Sequence, residues 1–441
     1  MNKVLITPDE SGLLHAALLI RDGKLVAFPT ETVYGLGANA LSVDAVRSIF
    51  VAKGRPLTDP LIVHVSCTEQ ALDLVELDEK ERELFHLLAS AFWPGPLTVI
   101  VRASVRIPAL VTAHTGFVGI RVPNHPIALR LIELSQLPIA APSANRFGHV
   151  SPTSASHVIA DLGDKAYILN GECGGALAED MNATCRFGIE STVVKLDSHS
   201  SELRIYRQGA VTQTLIEDAA ALFLRRNNWE VVNVNRAVVM HSGSSTNSSP
   251  EADLKEASMG DGCDDGPYLC EGRDSGGTGS GQEAPGQAVT HYAPDIPCFI
   301  VQSMLLYGMM RCTMIRPAAD ARTVLLSRTQ LLEEVVVIDY GNALSALDGM
   351  TLAYRDLSVQ KNAQEAARRL FDTLRWSEGV PGARMVLLAS VLSSRADTVT
   401  HQPSVLHYDG DYDGKYDLTL GLIDRIFRAA SGTSIHLEVV S

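Results

Sequence analysis

The sequence predicts an α/β protein with two folded parts of unequal size. Helix-type and strand-type patterns alternate along both parts, which is typical of helices layered on a sheet. The length of 441 residues is enough for two or three average domains, and one segment poor in apolar residues divides them. We therefore predict a first domain over residues 1–235, a linker over 236–297 and a second domain over 298–441.

The composition is that of an ordinary globular protein. Hydrophobic residues make up 46% of the chain and charged residues 20%, and the formal charge is −14. Broad binding to nucleic acid needs a basic surface, and a membrane span needs roughly 18–20 apolar residues in a row, so this chain fits neither class. Seven cysteines without C-x-x-C spacing and an N-terminus without a signal pattern predict a cytoplasmic protein with reduced thiols.

The predicted linker has a composition that cannot form a core. Residues 241–290 contain ten glycines, eight serines and nine acidic residues against two basic ones. This segment cannot bury enough apolar area to offset its chain entropy, so we predict that it is disordered. Its charge of −7 is half of the net charge, which leaves the folded parts only mildly acidic.

Capping residues and apolar patterns define the elements of the first part. Ser11 can cap a helix that runs to Ile20, and Ser42 can cap a second helix that stops before Gly54. Apolar runs bounded by turn residues predict strands. The other elements, in chain order, are strands at Lys24–Phe28 and Leu61–Val65, a helix at Glu79–Ala91, strands at Leu97–Val101 and Phe117–Val122, a helix at Pro126–Ser135, a strand at Pro138–Ala140, a helix at Thr153–Asp161, and strands at Thr192–Leu196 and Leu203–Tyr206.

The second part begins near Cys298 and shows strands followed by helices. Val335–Tyr340 and Met385–Ser390 are buried-strand patterns, and Asn362–Leu374 and Leu418–Ala430 are helical patterns. Alternation of this kind predicts a small parallel α/β layer. No catalytic cluster is visible in it.

The richest polar cluster lies in Pro29–Gly37, after a strand and before a helix, and its simplest interpretation is a glycine-rich turn between the two elements. Gly35-x-Gly37-x-x-Ala40 also fits a loose dinucleotide fingerprint, but the six residues Pro29 to Tyr34 separate it from the strand. The hydroxyl and carboxylate groups before the glycines favour the floor of a polar pocket.

Two further clusters suit anions. Lys53 and Arg55 are two cations in a stiff turn at a helix end, where positive charge is also favourable without any ligand. Ser143 to Asn145, and Ser151 shortly after, lie where a strand leads into a helix; Ser151 is equally well explained as a helix cap.

Three single residues allow both a structural and a functional interpretation. Arg121 at a strand end can hold a carboxylate or be a surface charge, and Ser191 adds a hydroxyl at another strand start. His64 ends an apolar strand, where a histidine is more often structural. No spacing of ligand residues indicates a metal site.

Six motifs occur in the order and spacing of one family. They are Pro-Thr-Glu-Thr-Val-Tyr-Gly-Leu-Gly (29–37), Lys-Gly-Arg-Pro (53–56), Pro-Leu-Ile-Val-His (60–64), Trp-Pro-Gly-Pro-Leu-Thr (93–98), Ser-Ala-Asn (143–145) and Glu-Ser-Thr-Val (190–193). Over about residues 10–210 they resemble the Sua5/YrdC family of L-threonylcarbamoyladenylate synthases. His-Tyr-Ala-Pro (291–294) and the two helices of the second part resemble the longer, Sua5-type members.

The resemblance implies a fold and a reaction. The first domain would be a YrdC-like twisted, mixed to mostly antiparallel α/β sheet around a concave positive cavity. The second would be a small Rossmann-like Sua5 domain. Threonine, bicarbonate or CO2, and ATP would give threonylcarbamoyl-AMP and pyrophosphate. A downstream transferase, contacted transiently, would move the threonylcarbamoyl group to adenosine 37 of tRNAs that read ANN codons, with at most a weak tRNA contact here.

The resemblance also implies residue roles. Lys53 and Arg55 would be catalytic and would stabilise the transferring phosphoryl group. Threonine would contact Thr30, His64, Arg121, Ala141 and Ser191. The nucleotide would contact Lys53, Arg55, Ser143, Asn145, Ser151, Arg207 and Tyr292. Mg²⁺ would arrive with the ATP phosphates, with no ligand from a protein side chain, and His291 with Tyr292 would form a lid that excludes water.

Two alternatives remain open at this point. One is a carbamoyl-adenylating domain like that of hydrogenase-maturation proteins, although their accessory modules are not visible in this sequence. The other is an RNA-binding module whose cavity grips backbone phosphate, which the mild acidity of the folded parts disfavours. Three departures from the family pattern are the long linker, the expanded stretch Gly171–Phe187, and Phe117, four residues before Arg121, where a small polar residue is common.

Overall fold

A mixed sheet forms the first part of the protein in a computed structural model that describes residues 5–173, 184–234, 282, 284–285, 292–306, 322–391 and 417–440. Six of its eleven strand pairings are antiparallel and five are parallel, which confirms the predicted mixed sheet. Its strands are β1 (Leu5–Ile6), β2 (Val26–Phe28), β3 (Gly35–Asn39), β4 (Ile62–His64), β5 (Val75–Glu76), β6 (Leu97–Ala103), β7 (Phe117–Arg121), β8 (Ile139–Ala140), β9 (Tyr167–Leu169), β10 (Thr192–Asp197), β11 (Glu202–Arg207) and β12 (Glu230–Asn233).

The strand order β1-β9-β2-β3-β8-β4-β7-β6-β10-β11-β12, with β5 paired to β6, places the ends of β4, β7 and β8 side by side. Helices cover this sheet, and their apolar faces fill its core. They are α1 (Glu10–Arg21), α2 (Val43–Lys53), α3 (Thr68–Leu72), α4 (Glu79–Phe92), α5 (Pro126–Ser135), α6 (Ala155–Leu162) and α7 (Gln213–Asn227).

The capping chemistry of α2 determines where two predicted site residues lie. The Ser42 side chain accepts from the N–H of Ala45 at the start of α2, and Gly54 ends the helix in the left-handed conformation with φ 64°. Lys53 is therefore the last helical residue, and Arg55 follows the turn.

The cap of α1 differs from the prediction. Asp9, and not Ser11, accepts the N–H of Gly12 at 2.8 Å, so the helix begins at Glu10. A carboxylate at the N-terminus of a helix also interacts favourably with the helix dipole, which explains why Asp9 takes this position.

The interpretation of Gly35–Gly37 as a glycine-rich turn is wrong. These glycines lie in β3, which pairs antiparallel with β2 through Val26↔Gly37 and Phe28↔Gly35. A Cβ at Gly37 would lie 2.8 Å from side-chain atoms of both Phe28 and Ile139. The glycine therefore permits close packing within the sheet, and this placement speaks against a dinucleotide-binding turn.

The second part is a parallel six-stranded sheet in the order β14-β18-β13-β17-β15-β16, which confirms the predicted parallel layer. Its strands are β13 (Cys298–Leu306), β14 (Arg322–Ser327), β15 (Val335–Asp339), β16 (Ala353–Asp356), β17 (Met385–Ala389) and β18 (Ser434–Val440). Its helices are α8 (Arg328–Glu334), α9 (Ala363–Glu378), α10 (Thr419–Ala429) and a 3₁₀ turn at Ser345–Leu347.

The two sheets belong to one compact unit, because one hydrophobic cluster draws on both. Val33, Phe187 and Ile189 of the first part pack there with Phe371 of α9 and Leu422 of α10. The domain boundaries at 235 and 298 stay a prediction. The predicted disorder of 241–290 lies outside the described residues, apart from 282 and 284–285. None of the helices in the described parts of the chain is both long and apolar enough to cross a membrane.

Candidate active site

A cavity lies where the polar segment after β2 meets the ends of β4, β7 and β8 and the start of β10. Its empty volume, part of which is open to solvent, is about 560 Å³. Three guanidinium groups face it, those of Arg55, Arg121 and Arg207. Among the described residues that line it, Glu190 is the one carboxylate. The cavity is therefore suited to anionic ligands.

The structure brings the predicted site residues together. Nine of them line the cavity: Thr30, Arg55, His64, Arg121, Ala141, Ser143, Ser191, Arg207 and Tyr292. The other three, Lys53, Asn145 and Ser151, stand behind it and are hydrogen-bonded to lining residues. His291, the other half of the predicted lid, lies outside the described residues.

Arg121 is fixed at the end of β7 by three partners. Its Nη2 lies 2.6 Å from Oε1 of Glu31, its Nη1 donates to Oγ1 of Thr32 at 3.1 Å, and its Nε donates to the carbonyl oxygen of Gly95 at 3.2 Å. Glu31 is fully buried. The Glu31 carboxylate thus balances the charge of Arg121 and does not itself line the cavity.

Thr30 folds the polar segment on itself. Its Oγ1 donates to the carbonyl oxygen of Val33 at 2.7 Å, lies 2.8 Å from Oγ1 of Thr32, and accepts the N–H of Thr32 at 3.1 Å. Local side-chain hydrogen bonds of this kind keep the backbone out of helix and strand. Thr30 and Thr32 of this segment line the cavity, as predicted, whereas the predicted Glu31 carboxylate does not.

Lys53 and Arg55 face different parts of the site. The Lys53 ammonium donates to the carbonyl oxygen of Ser143 at 2.6 Å and to that of Asn145. Burial, and then the neighbouring charge of Arg55, hold the pKa of Lys53 well below its ordinary value. Lys53 therefore holds the 143–145 loop from behind.

Arg55 lines the cavity directly. Its Nη2 donates to the carbonyl oxygen of Pro60 at 2.8 Å and lies 2.9 Å from Oδ1 of Asp59. Burial lowers the pKa of Arg55, and the Asp59 carboxylate opposes that shift. Arginine stays protonated in such a setting, so the group remains a cation.

Arg207 and Ser191 form the opposite wall. Arg207 donates from Nε to the carbonyl oxygen of Ser191 at 3.0 Å and from Nη2 to its Oγ at 3.2 Å. The same Oγ lies 2.8 Å from Oγ1 of Thr98 on β6. These contacts orient the Ser191 hydroxyl at the start of β10.

His64 is a neutral wall residue. Burial and the nearby Arg121 lower its pKa to about 3, and its ring meets the edge of Phe28 at a centroid distance of 6.1 Å. At neutral pH it therefore adds no charge to the cavity.

One cluster in the described residues has the make-up of a metal site. Ligand atoms of His149, Asp295 and Glu378 lie within 4.8 Å of one another. Both ring nitrogens of His149 are already engaged, Nδ1 with Asp161 and Nε2 with Glu378, each at 2.9 Å, and Asp295 is paired with Arg146 at 2.9 Å. Hydrogen bonds and ion pairs account for this cluster without a metal.

Comparison with known proteins places the chain in a family. A family profile described as "Telomere recombination" (Sua5_yciO_yrdC) matches residues 18–209, and one described as "Threonylcarbamoyl-AMP synthase, C-terminal domain" matches residues 251–431. The threonylcarbamoyl-AMP synthase of Klebsiella pneumoniae is 30% identical over 171 residues, which are 38% of this chain and 87% of that protein. The chain belongs to the Sua5/YrdC family. This confirms the resemblance drawn from the six motifs.

Two longer Sua5/YrdC proteins extend the likeness. The threonylcarbamoyl-AMP synthase of Pyrococcus abyssi is 51% identical over 184 residues, 41% of this chain and 49% of that protein. A crystal structure of P. abyssi Sua5 complexed with L-threonine matches with a TM-score of 0.65 and 29% identity, and the match covers 100% of both chains. The sequence alignments span about half the length of the first curated relatives, with shares of 49%, 57% and 50%.

The sequence of this Sua5/YrdC protein left three charged partners unrecognised. Glu31 and Glu190 lie within two of the six motifs, and this position is the one indication of a role that the sequence offers. Their pairing with arginines is visible only in the tertiary structure. Arg425 stood in a helix motif of the second part, yet its side chain reaches Glu190 and Gln208 of the first part. Its partners lie more than 200 residues away along the chain, so no local pattern indicates them.

Proposed function

We propose that this chain is an L-threonylcarbamoyladenylate synthase that joins L-threonine, bicarbonate or CO2, and ATP into threonylcarbamoyl-AMP and releases pyrophosphate. The observation that carries the proposal is the convergence of Arg55, Arg121 and Arg207 on one cavity beside the 143–145 loop. The names of the curated relatives support it. We also propose that the protein acts in the cytoplasm. A downstream transferase would then move the threonylcarbamoyl group to adenosine 37 of tRNAs that read ANN codons.

Threonine would bind at the Arg121 side. The guanidinium of Arg121 is held at the cavity wall and can offer a fork to the amino acid carboxylate. Thr30, His64, Ala141 and Ser191 surround the same space. The neutral ring of His64 leaves the amino group free of a competing cation. P. abyssi Sua5, whose crystal structure holds L-threonine, supports an amino acid subsite of this kind.

ATP would bind at the Arg55 and Arg207 side, with Ser143, Asn145, Ser151 and Tyr292 around the nucleotide. The threonine amine attacks CO2 and loses a proton, and an oxygen of the resulting carbamate attacks the α-phosphorus while pyrophosphate leaves. Two like charges 4 Å apart repel by roughly 4 kcal/mol at an effective dielectric of about 20. The arginines offset this repulsion and stabilise the charge that develops on the phosphoryl group.

Lys53 would act through the loop that it holds. Its ammonium bonds the carbonyl oxygens of Ser143 and Asn145, so it positions their hydroxyl and amide groups at the nucleotide. Arg55 would therefore contact the phosphates directly, whereas Lys53 would position the 143–145 loop.

Mg²⁺ would enter with ATP as part of the substrate. Among the described lining residues Glu190 carries the one carboxylate, and its oxygens are bonded to Ser151 and Arg425. Both oxygens of Glu190 are thus already engaged, so the phosphates and water would supply the Mg²⁺ ligands.

Pyrophosphate release tests the proposal. Purified protein is given Mg·ATP and labelled bicarbonate, with L-threonine, with L-valine, which has the same shape without the hydroxyl, or with neither. We expect pyrophosphate and a labelled adenylate that depend on threonine. Release with carbamoyl phosphate but not with threonine would indicate a carbamoyl-adenylating enzyme. Tight tRNA binding without ATP turnover would indicate an RNA-binding module.

A further inference from the structure

Arg425 is a buried cation that reaches from α10 into the wall of the cavity. It is 0% exposed. Its Nε donates to Oε2 of Glu190 at 3.0 Å, its Nη2 to the carbonyl oxygen of Glu190 at 3.3 Å, and its Nη1 to that of Gln208 at 2.6 Å. Its guanidinium carbon lies 5.5 Å from the ring centre of Tyr292. One side chain of the second part thus contacts three residues in or next to the cavity wall.

Glu190 is the group whose position Arg425 controls. It lines the cavity, and its second carboxylate oxygen accepts a hydrogen bond from Ser151. A carboxylate in this place opposes the binding of an anion unless its charge is balanced. Arg425 supplies that balance from outside the cavity, and the positive groups that face the cavity remain available.

Without Arg425, Glu190 would form an ion pair with Arg207. Arg55 and Arg121 each have their own carboxylate partner, Asp59 and Glu31. Arg207 is bonded instead to the neutral oxygens of Ser191, and in the described parts of the chain no carboxylate lies in ion-pair distance of it. Arg207 donates to both oxygens of Ser191, the residue that directly follows Glu190, so a released Glu190 carboxylate would compete for the Arg207 charge.

We propose that Arg425 is a positioning residue for nucleotide binding, which holds the Glu190 carboxylate away from Arg207 and so keeps the Arg207 charge available to ATP. The inference rests on the proposed function and deepens it. In this proposal the second part of the chain covers the cavity and, through Arg425, also neutralises a negative charge in the cavity wall.

The test compares single and double variants of the full chain. Arg425→Met removes the cation with little change in bulk, and Glu190→Gln removes the partner charge and keeps the shape. Arg369→Met is the matched control, because Arg369 of α9 is half-exposed and pairs with Glu365 outside the cavity. The readouts are the calorimetric affinity for Mg·ATP and the KM for ATP at saturating threonine.

We expect Arg425→Met to weaken both ATP readouts roughly tenfold or more, since charge-assisted hydrogen bonds are worth about that factor. Arg369→Met should leave them unchanged. The double variant Arg425→Met/Glu190→Gln should recover most of the loss, because no carboxylate is left to capture Arg207. Packing by the Arg425 side chain alone would not produce that recovery.

Arg425→Lys serves if Arg425→Met does not fold, since it keeps the charge near Glu190. It should retain ATP affinity within a few fold of the parent, and its combination with Glu190→Gln should gain nothing. Unchanged ATP affinity in Arg425→Met, or a loss that Glu190→Gln does not restore, would overturn the inference. Absence of threonine-dependent turnover in the parent chain would overturn the proposed function alone, because the ATP affinities still report on Arg425.

Discussion

Two buried histidines have pKa values shifted in opposite directions by their surroundings. Burial and Arg121 lower the pKa of His64 to about 3. Burial also acts to lower the pKa of His149, but the hydrogen bonds that its ring makes to the Asp161 and Glu378 carboxylates outweigh burial, and the pKa is raised. The His149 contribution to stability is therefore present in acid and is lost as the pH rises through the raised pKa, whereas His64 acts in the opposite sense.

His64 should make the protein sensitive to acid. The unfolded chain binds a proton at this residue below about pH 6.5, and the folded chain does so only near pH 3, so stability falls as pH falls between these values. The loss is roughly 3 kcal/mol at pH 4, since one pKa unit corresponds to about 1.4 kcal/mol. His64→Gln should flatten the decline in the urea midpoint between pH 7 and pH 4. The exposed His15→Gln should not, and equal slopes in all three proteins would refute this.

Arg121→Lys tests the proposed threonine subsite. Lysine keeps the charge but cannot bond Thr32, Glu31 and a ligand carboxylate as a planar fork. We expect the KM for threonine to rise roughly tenfold or more, with the KM for ATP changed much less. Arg102→Lys, at an exposed arginine of β6, is the control. A change confined to the KM for ATP would place threonine elsewhere.

At the scale of elements, β3 packs closely against its neighbours because Gly37 has no side chain. A Cβ at Gly37 would lie 2.8 Å from atoms of Phe28 and Ile139, which are themselves packed in the sheet. Gly37→Ala should lower the free energy of unfolding by about 1–3 kcal/mol, as overpacking does in other cores. At Gly379 a Cβ would lie 3.5 Å from the carbonyl oxygen of Trp376, an ordinary contact, so Gly379→Ala should be tolerated. Urea denaturation measures both, and equal stability would contradict the packing argument.

Features that depend on residues close together in the chain could be predicted from the sequence, and features that depend on tertiary contacts could not. Amphipathic helices with clear local start signals, such as the proline that opens α5, are specified by neighbours along the chain, and the bounds Pro126–Ser135 were predicted without error. β3 was missed because a glycine predicts a turn in isolation, and only its contacts with Phe28 and Ile139 make it a strand residue. The polar floor was predicted, but the counter-ions Glu31 and Arg425 were not, because charge balance is a property of the assembled cavity.

At the scale of the whole molecule, α9 and α10 approach the first part closely. At Gly188, where φ is 68°, a Cβ would lie 2.3 Å from the carbonyl oxygen of Ala367 in α9. At Gly421 of α10 it would lie 2.5 Å from the side chain of Ile189. This contact zone continues directly into Glu190 and Ser191, so the packing of the two parts and the geometry of the cavity depend on the same short segment.

The two parts should therefore unfold together. Ile189 is fully buried in the hydrophobic cluster that both parts share, so neither part keeps its apolar surface covered when the other unfolds. Scanning calorimetry should show one transition. Ile189→Ala should shift it down by several degrees, because removing a buried isoleucine costs about 2–5 kcal/mol. Val105→Ala, at a residue 97% exposed, should not shift it. Two separate transitions, only one of them moved by Ile189→Ala, would show that the parts are stabilised independently.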